Sequence, residues 1–314
     1  MRMNKDTKTL TEGAVLAALT VLISTLYLYL PLPLLVAIPV PLLVLTYRHG
    51  ISSAIPVAFV AALLAGLFSH LVQGVVLVLS MGALGLALGE ALRQGFGPIR
   101  TLFWGTLVMT IVSIATFLIT LWITGINSLD TMVKSVTESY TTVTELYQKM
   151  GLGTEALPMT AEQFGQMVRL IFPATLVVSS ATIAGLSYWL GGMVLAKLGS
   201  PVPRLPKLTA WIFPRWLGFS TLGLMLVLLL PLPAWLSVVV TNLYYVGILL
   251  LALEGLALAW HLISRLTVGK TVKVILLVLL FLLLPWLLVW GGFADNLADY
   301  RGLRRGRDES HLES

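Results

Sequence analysis

Six stretches of this sequence contain no Asp, Glu, Lys or Arg: residues 13–47, 50–89, 101–129, 170–196, 217–253 and 274–294. Each is at least as long as the roughly 20 apolar residues that carry a helix across about 30 Å of hydrocarbon. Backbone in lipid must pair every N–H and C=O internally, which leaves helices or a closed barrel. Barrel strands alternate polar and apolar residues over about ten positions. These runs are apolar on every side and rich in Leu, Val and Ala, which predicts helices. Charged residues make up 11% of the chain, against about 25% in soluble domains, too few to cover a wetted surface. The expected fold class is all-α, a polytopic membrane helix bundle.

The chain carries a net charge of +6. Its basic residues fall in short clusters between the runs, as cytoplasmic loops do under the positive-inside rule, which argues against a nucleic-acid partner. There is no cysteine, so disulfides, thiolate nucleophiles, thiolate metal sites and a lipidated N-terminal cysteine are excluded. Arg2, Lys5 and Lys8 precede the first run as in a signal peptide. The run is too long for an h-region, and we expect a retained first helix.

Prolines, glycines and charges punctuate the runs. Helices are expected over 11–30, 34–47, 51–69, 73–92, 101–124, 164–198, 217–236, 241–263 and 272–290. The one long polar stretch, 127–163, reads as an extracytoplasmic helical hairpin on the surface. The expected division is a six-helix core over 1–200, a cytoplasmic linker over 201–216, C-terminal membrane helices over 217–292 and a polar tail over 293–314. With nine spans the N-terminus, Arg48, Arg93 with Arg100, the 197–215 cluster and Arg265 with Lys270 and Lys273 share one side, predicted to be cytoplasmic at a cell membrane. Arg301, Arg304, Arg305 and Arg307 then fall outside. Eight spans with an internal tail is the alternative.

The first six helices resemble the substrate-binding subunit, or S component, of energy-coupling factor vitamin transporters. The likeness rests on Ala14-Val15-Leu16-Ala17-Ala18 behind a Lys-Thr-Leu-Thr-Glu start. A short, proline-opened second helix ending at Arg48-His49-Gly50 adds to it, as does the long outer segment before the sixth helix. Over its full length the chain resembles the YybS-like family of bacterial multi-pass membrane proteins of unassigned function. The marks are Asn242, Glu254-Gly255 (where Gln-Gly is expected) and the closing Gly292-Phe293-Ala294-Asp295-Asn296-Leu297-Ala298-Asp299-Tyr300-Arg301. The first resemblance implies a helix face that meets a coupling subunit, ATPases acting in trans, and a ligand pocket opening on the outer side.

Several residues are candidates for chemistry. Gly13, Ala14, Ala17 and Ala18 form a small-residue strip that lets a helix approach closely, either inside the protein or from a partner. Tyr27 and Tyr29, at the outer end of the first run, and His70 and Gln73, at the next outer turn, are candidate ligand contacts. Interfacial anchoring and loop solvation are the competing explanations. Glu254 sits in an otherwise uncharged run, and His261 follows seven residues later on the same helical face. Either they form a proton- or cation-linked relay, or Glu254 pairs with His261, Arg265 or a neighbouring helix. Glu90 is explained by an i,i+3 pair with Arg93. Asn242 is expected to cap its helix. Gly269-Lys270-Thr271 matches the end of a phosphate loop, but Ser264 stands where the first glycine is required. No metal-ligand spacing or nucleophile elbow appears, so no cofactor, metal or catalytic residue is assigned.

These features predict a non-enzymatic membrane protein that binds or helps transport a small metabolite or ion. A structural scaffold of cell-envelope or division machinery is the alternative. A third possibility is a lipid-acting enzyme using Glu254 and His261.

Overall fold

The computed structural model describes residues 5–27, 29–30, 34–69, 71–151 and 159–303. Among them are eleven α-helices and no strand. The helices are α1 (Lys5–Tyr27), α2 (Pro39–His49), α3 (Ile51–Phe68), α4 (Leu71–Arg93), α5 (Pro98–Thr124), α6 (Ser128–Lys149), α7 (Ala161–Lys197), α8 (Arg215–Val227), α9 (Ala234–Ser264), α10 (Lys270–Leu283) and α11 (Pro285–Ala298). Six of them are long and apolar enough to cross a membrane, and α10 with α11 makes a seventh if the pair is one span. This is a polytopic helical membrane protein. The chain divides into two compact units, Met1–Gly165 with Thr175–Leu205, and Gln166–Ala174 with Pro206–Ser314.

In the first unit α2 lies in the interior, with every residue from Pro39 to Thr46 buried. It is apolar all round, as a fully enclosed helix must be. Its prolines fall in the first turn, where no intrahelical N–H is lost. Its end is fixed by Gly50, at φ 87°, a conformation that favours glycine. The helix α4 approaches it through Gly85 and Gly89, where a methyl group would strike the carbonyls of Pro39 and Leu43. Around α2 pack Leu84, Leu88, Tyr188 and Leu195. A second core joins Ala17 to Ala61, Ala62, Ala65 and Val78.

The polar segment is a hairpin whose second limb is the start of α7. The Asn127 side chain caps α6 by accepting from the N–H groups of Leu129 (3.0 Å) and Asp130 (3.4 Å). Thr160 and Gln163 form a capping box at the start of α7. Tyr140 donates to the Met159 carbonyl at 2.7 Å and its ring lies 4.9 Å from that of Phe164.

Three sequence expectations are corrected by the broken and shortened helices. The run 217–236 does not form one helix; α8 stops at Val227 and α9 starts at Ala234. The break falls where Pro231 and Pro233 interrupt the run. The thirteen residues of α8 rise only about 20 Å, short of the hydrocarbon thickness. The run 272–290 is likewise broken. Pro285 removes an N–H and bars Leu284 from the helical region (φ −134°, ψ 50°), and the chain bends by 102°.

Third, among the described residues there are six or seven spans and not nine, because the runs 34–47, in the first unit, and 217–236 yield helices of only eleven and thirteen residues. The tail is repositioned as well. Gly247 lies against Thr221, and Glu254 meets Asn296, which accepts from Gly218 N–H. Thus α9 runs back along α8 toward the linker. Arg301 then binds linker carbonyls at Thr209 and Trp211. The α10–α11 pair therefore leaves and returns at the same end of the unit, and the tail begins beside the linker.

Asn242 does not cap its helix, since α9 begins two turns earlier. It repairs α7 instead. Pro173 lies inside α7, and a proline there disrupts the local i→i−4 ladder. The Asn242 side chain accepts from Ala174 N–H at 2.7 Å and donates to the Leu170 carbonyl at 2.8 Å. These two groups would otherwise pair with each other. The bridge binds residues 166–174 of α7 into the second unit.

Candidate functional site

At the end of the first unit that carries Tyr27, α1, α3 and α4 enclose a cavity of about 130 Å³. Its polar lining is Ser24, Tyr27, Ser69 and Gln73, and its wall is completed by Ala65, Gly74 and Leu77. Gly74 is small because a Cβ there would meet the Ala65 carbonyl. Two of the four candidate ligand contacts, Tyr27 and Gln73, are thus brought together. Tyr29 is not, being 78% exposed, and His70 lies outside the described residues.

Gln73 and Leu77 also border a larger open groove of about 570 Å³ between α4 and α5. Ser113, Thr116, Thr120 and Thr124 line it from one face of α5, and Ser80 faces them from α4. The 3–4–4 spacing is that of a helical stripe. The Ser80 and Thr116 hydroxyls bond at 3.1 Å. No side chain lining the cavity or the groove carries a charge. Sequence reasoning missed this stripe, although the α5 spacing alone held the signal.

The small-residue strip on α1 divides. Gly13 and Ala17 are buried, Gly13 facing Val57 and Ala17 inside the alanine core. Ala14 and Ala18 are exposed and occupy the outward face with Val15 and Leu22.

In the second unit Glu254 is fully buried, and its partners come from α11 and the turn beyond it. Asn296 donates to it at 2.9 Å, and the Arg301 guanidinium approaches within 3.7 Å. Arg301, whose side chain is 1% exposed, also holds Asp295 at 2.6 Å and donates to the carbonyls of Thr209 (2.9 Å) and Trp211 (2.8 Å). Asn296 donates further to Phe213 and Pro214 carbonyls at 3.0 and 3.3 Å. One cation and one amide therefore serve two carboxylates and four carbonyls of a proline-rich linker, with Glu254 Oε1 reached by the Arg301 charge at 3.7 Å and not by a hydrogen bond. The helices approach closely at Gly255 and Gly292, where added methyl groups would overlap the carbonyls of Leu288 and Leu251.

His261 is not part of this cluster; it pairs with Arg265 at 2.7 Å, two turns away from Glu254. Of the partners expected for Glu254, His261 and Arg265 are not the ones found and a neighbouring helix is, because burial orients Glu254 toward Asn296 on α11. The closing motif Gly292–Arg301 was legible in the sequence, but not that it folds onto Glu254. Also missed was a triad near the start of α1. The Glu12 carboxylate meets His49 Nε2 at 2.8 Å and also Arg48, while Thr9 bonds His49 Nδ1 at 3.1 Å. Glu90 pairs with Arg93 at 3.6 Å and accepts from Gln94 at 3.1 Å. Among the described residues no group of three or more His, Asp or Glu is arranged to hold a metal ion.

Residues 18–295 match the model of a protein family described as "Predicted membrane protein (DUF2232)". The match spans most of the chain, and the chain belongs to this family. No curated protein matches it, and no solved structure does.

Proposed function

We propose that this member of a membrane-protein family is a non-enzymatic, substrate-binding subunit whose first unit receives a small, uncharged, polar solute. One observation carries the proposal: Gln73 belongs both to the Tyr27 cavity and to the hydroxyl-lined groove. The cavity alone is smaller than the roughly 300–1,000 Å³ of ligand pockets, and the groove lies within that range. The solute would lie along the hydroxyl stripe with its polar end at Gln73. The absence of charge in the lining disfavours an ion. This reading agrees with the S-component likeness of the first six helices and with the YybS-like marks.

Transport would then need ATPases in trans, reached through a coupling subunit on the exposed Ala14–Ala18 face of α1. We place the N-terminus and the linker in the cytoplasm of a cell membrane. Arg301, which binds the linker carbonyls of Thr209 and Trp211, would then lie on the same side as Lys207 and Arg215 of that linker.

The test is extraction of small molecules from protein purified in mild detergent, for wild type and for Gln73→Leu. The wild type should retain a polar solute that the variant loses. Failure of the wild type to retain any solute, from cells and after incubation with metabolite extract, refutes the proposal.

One observation favours the scaffold alternative. Met132, Val136, Val143 and Leu146 of α6 and Met150, which caps its C-terminus, follow a 4–7–3–4 spacing, and four of them are 40–64% exposed. Cross-linking from Leu146→Cys to an envelope protein, with no solute bound, would support that reading.

A further inference from the structure

Where α7 ends and the linker begins, the first unit holds a groove of about 500 Å³ that the solute site does not use. Its floor is Trp189, Gly192 and Met193 on α7, and its roof is the chain from Pro201 to Leu205. The roof is pinned, because Tyr188 Oη donates to the Pro203 carbonyl and Val202 sits against Gly192. Its lining is mostly apolar, with Lys197 and Arg204 at the rim. Both cations are exposed. No Asp or Glu occurs anywhere from residue 163 to 253, while Arg169, Lys197, Arg204, Lys207 and Arg215 all do. Lys197 directly follows the uncharged run 170–196, so it stands at the edge of the hydrocarbon, and Trp189 lies two turns deeper at 56% exposure.

An apolar trough floored by an exposed tryptophan and ending in two cations complements one class of molecule. We infer that this groove binds an anionic phospholipid, its acyl chain against Trp189 and Met193 and its phosphate between Lys197 and Arg204. A zwitterionic lipid fits the trough equally well but brings a choline or ethanolamine cation to a rim that already carries two. A free phosphate satisfies the rim and leaves the trough empty. Sites of this kind, basic at the headgroup level between membrane segments, recognise anionic lipids. The site does not depend on the solute proposal.

Tryptophan quenching by brominated acyl chains tests it on the full chain in phosphatidylcholine nanodiscs. Brominated phosphatidylglycerol should quench at a much lower mole fraction than brominated phosphatidylcholine, and Trp189→Phe should remove that difference. Each basic residue near an anionic surface is worth about fivefold in lipid partitioning, so Lys197→Gln with Arg204→Gln should weaken the effect about 25-fold. Lys134→Gln, on α6, should leave it unchanged. If the double variant does not fold, the Trp189→Phe comparison still decides. Equal quenching by the two lipids refutes the inference. So does displacement of the brominated lipid by inorganic phosphate or by an acidic polypeptide, which would identify a different occupant.

Discussion

Replacing Asn242 by Leu should destabilise the protein by about 2–5 kcal/mol, and removing Pro173 should abolish most of that cost. The amide bridges the N–H of Ala174 and the carbonyl of Leu170 at 2.7 and 2.8 Å. Leucine fills similar space but offers neither donor nor acceptor. Both backbone groups then lie inside an uncharged run without that partner, at about 1–3 kcal/mol each. The third bond, to the Val238 carbonyl, lies within its own helix and adds little. In a Pro173→Ala background the N–H returns and the ring clash is gone, so Ala174 can bond Leu170 directly, as in an uninterrupted helix. There Asn242→Leu should cost less than about 1 kcal/mol, a coupling energy of at least roughly 1–2 kcal/mol. The assay is a double-mutant cycle by denaturant unfolding in mild detergent, followed by fluorescence of the nine tryptophans. Equal costs in the two backgrounds would show that the amide does not substitute for the proline-broken bond.

Three further outcomes follow. Arg301→Leu leaves Glu254 and Asp295 buried without their cation and should cost about 3–5 kcal/mol, whereas Glu254→Gln, which keeps an acceptor for Asn296, should cost about 1–2 kcal/mol; thermal unfolding ranks the two, and the reverse order refutes the assignment. Gly292→Ala drives a methyl into the Leu251 carbonyl and should abolish the monodisperse species on size exclusion, while Gly302→Ala should only lower stability modestly because that turn is open but has φ 68°. The chain lacks cysteine, so single cysteines report topology without background; Lys207→Cys and Leu303→Cys should react with an impermeant maleimide from one side and Ala234→Cys from the other, and a straight last span would instead group Leu303 with Ala234.

Much of the membrane bundle was legible in the sequence because lipid enforces a simple rule: a charge-free run of sufficient length must be a helix. The ends of α2, α4 and α5 follow directly from Gly50, Arg93-Gln94-Gly95 and Gly125. Hydropathy measures a run, however, and not the path taken through it. The runs 217–236 and 272–290 look continuous on any hydrophobicity scale, yet Pro231, Pro233 and Pro285 divide them. Prolines inside a span are ambiguous in sequence: Pro56 and Pro173 lie within continuous helices. What separates the two outcomes at Pro173 is a partner 69 residues away (Asn242 against residue 173), which no local pattern contains.

The same limit explains the divided success at the candidate sites. Tyr27 and Gln73 were identifiable because each stands at the end of a run, and run ends on one side gather in space. The hydroxyl stripe of α5 was identifiable in principle, since 113, 116, 120 and 124 share a helical face, but Ser and Thr in a span also bond their own helix, as Thr124 does to the Thr120 carbonyl. Glu254 presents the opposite case. Its sequence position announced a costly buried charge, and the natural partners by spacing were His261 and Arg265. Its actual partners, Asn296 and Arg301, lie 42 and 47 residues on in the chain. A buried acid that meets an arginine already committed to Asp295 and two linker carbonyls is held by the fold, and its removal should therefore register first in stability rather than in solute binding by the first unit.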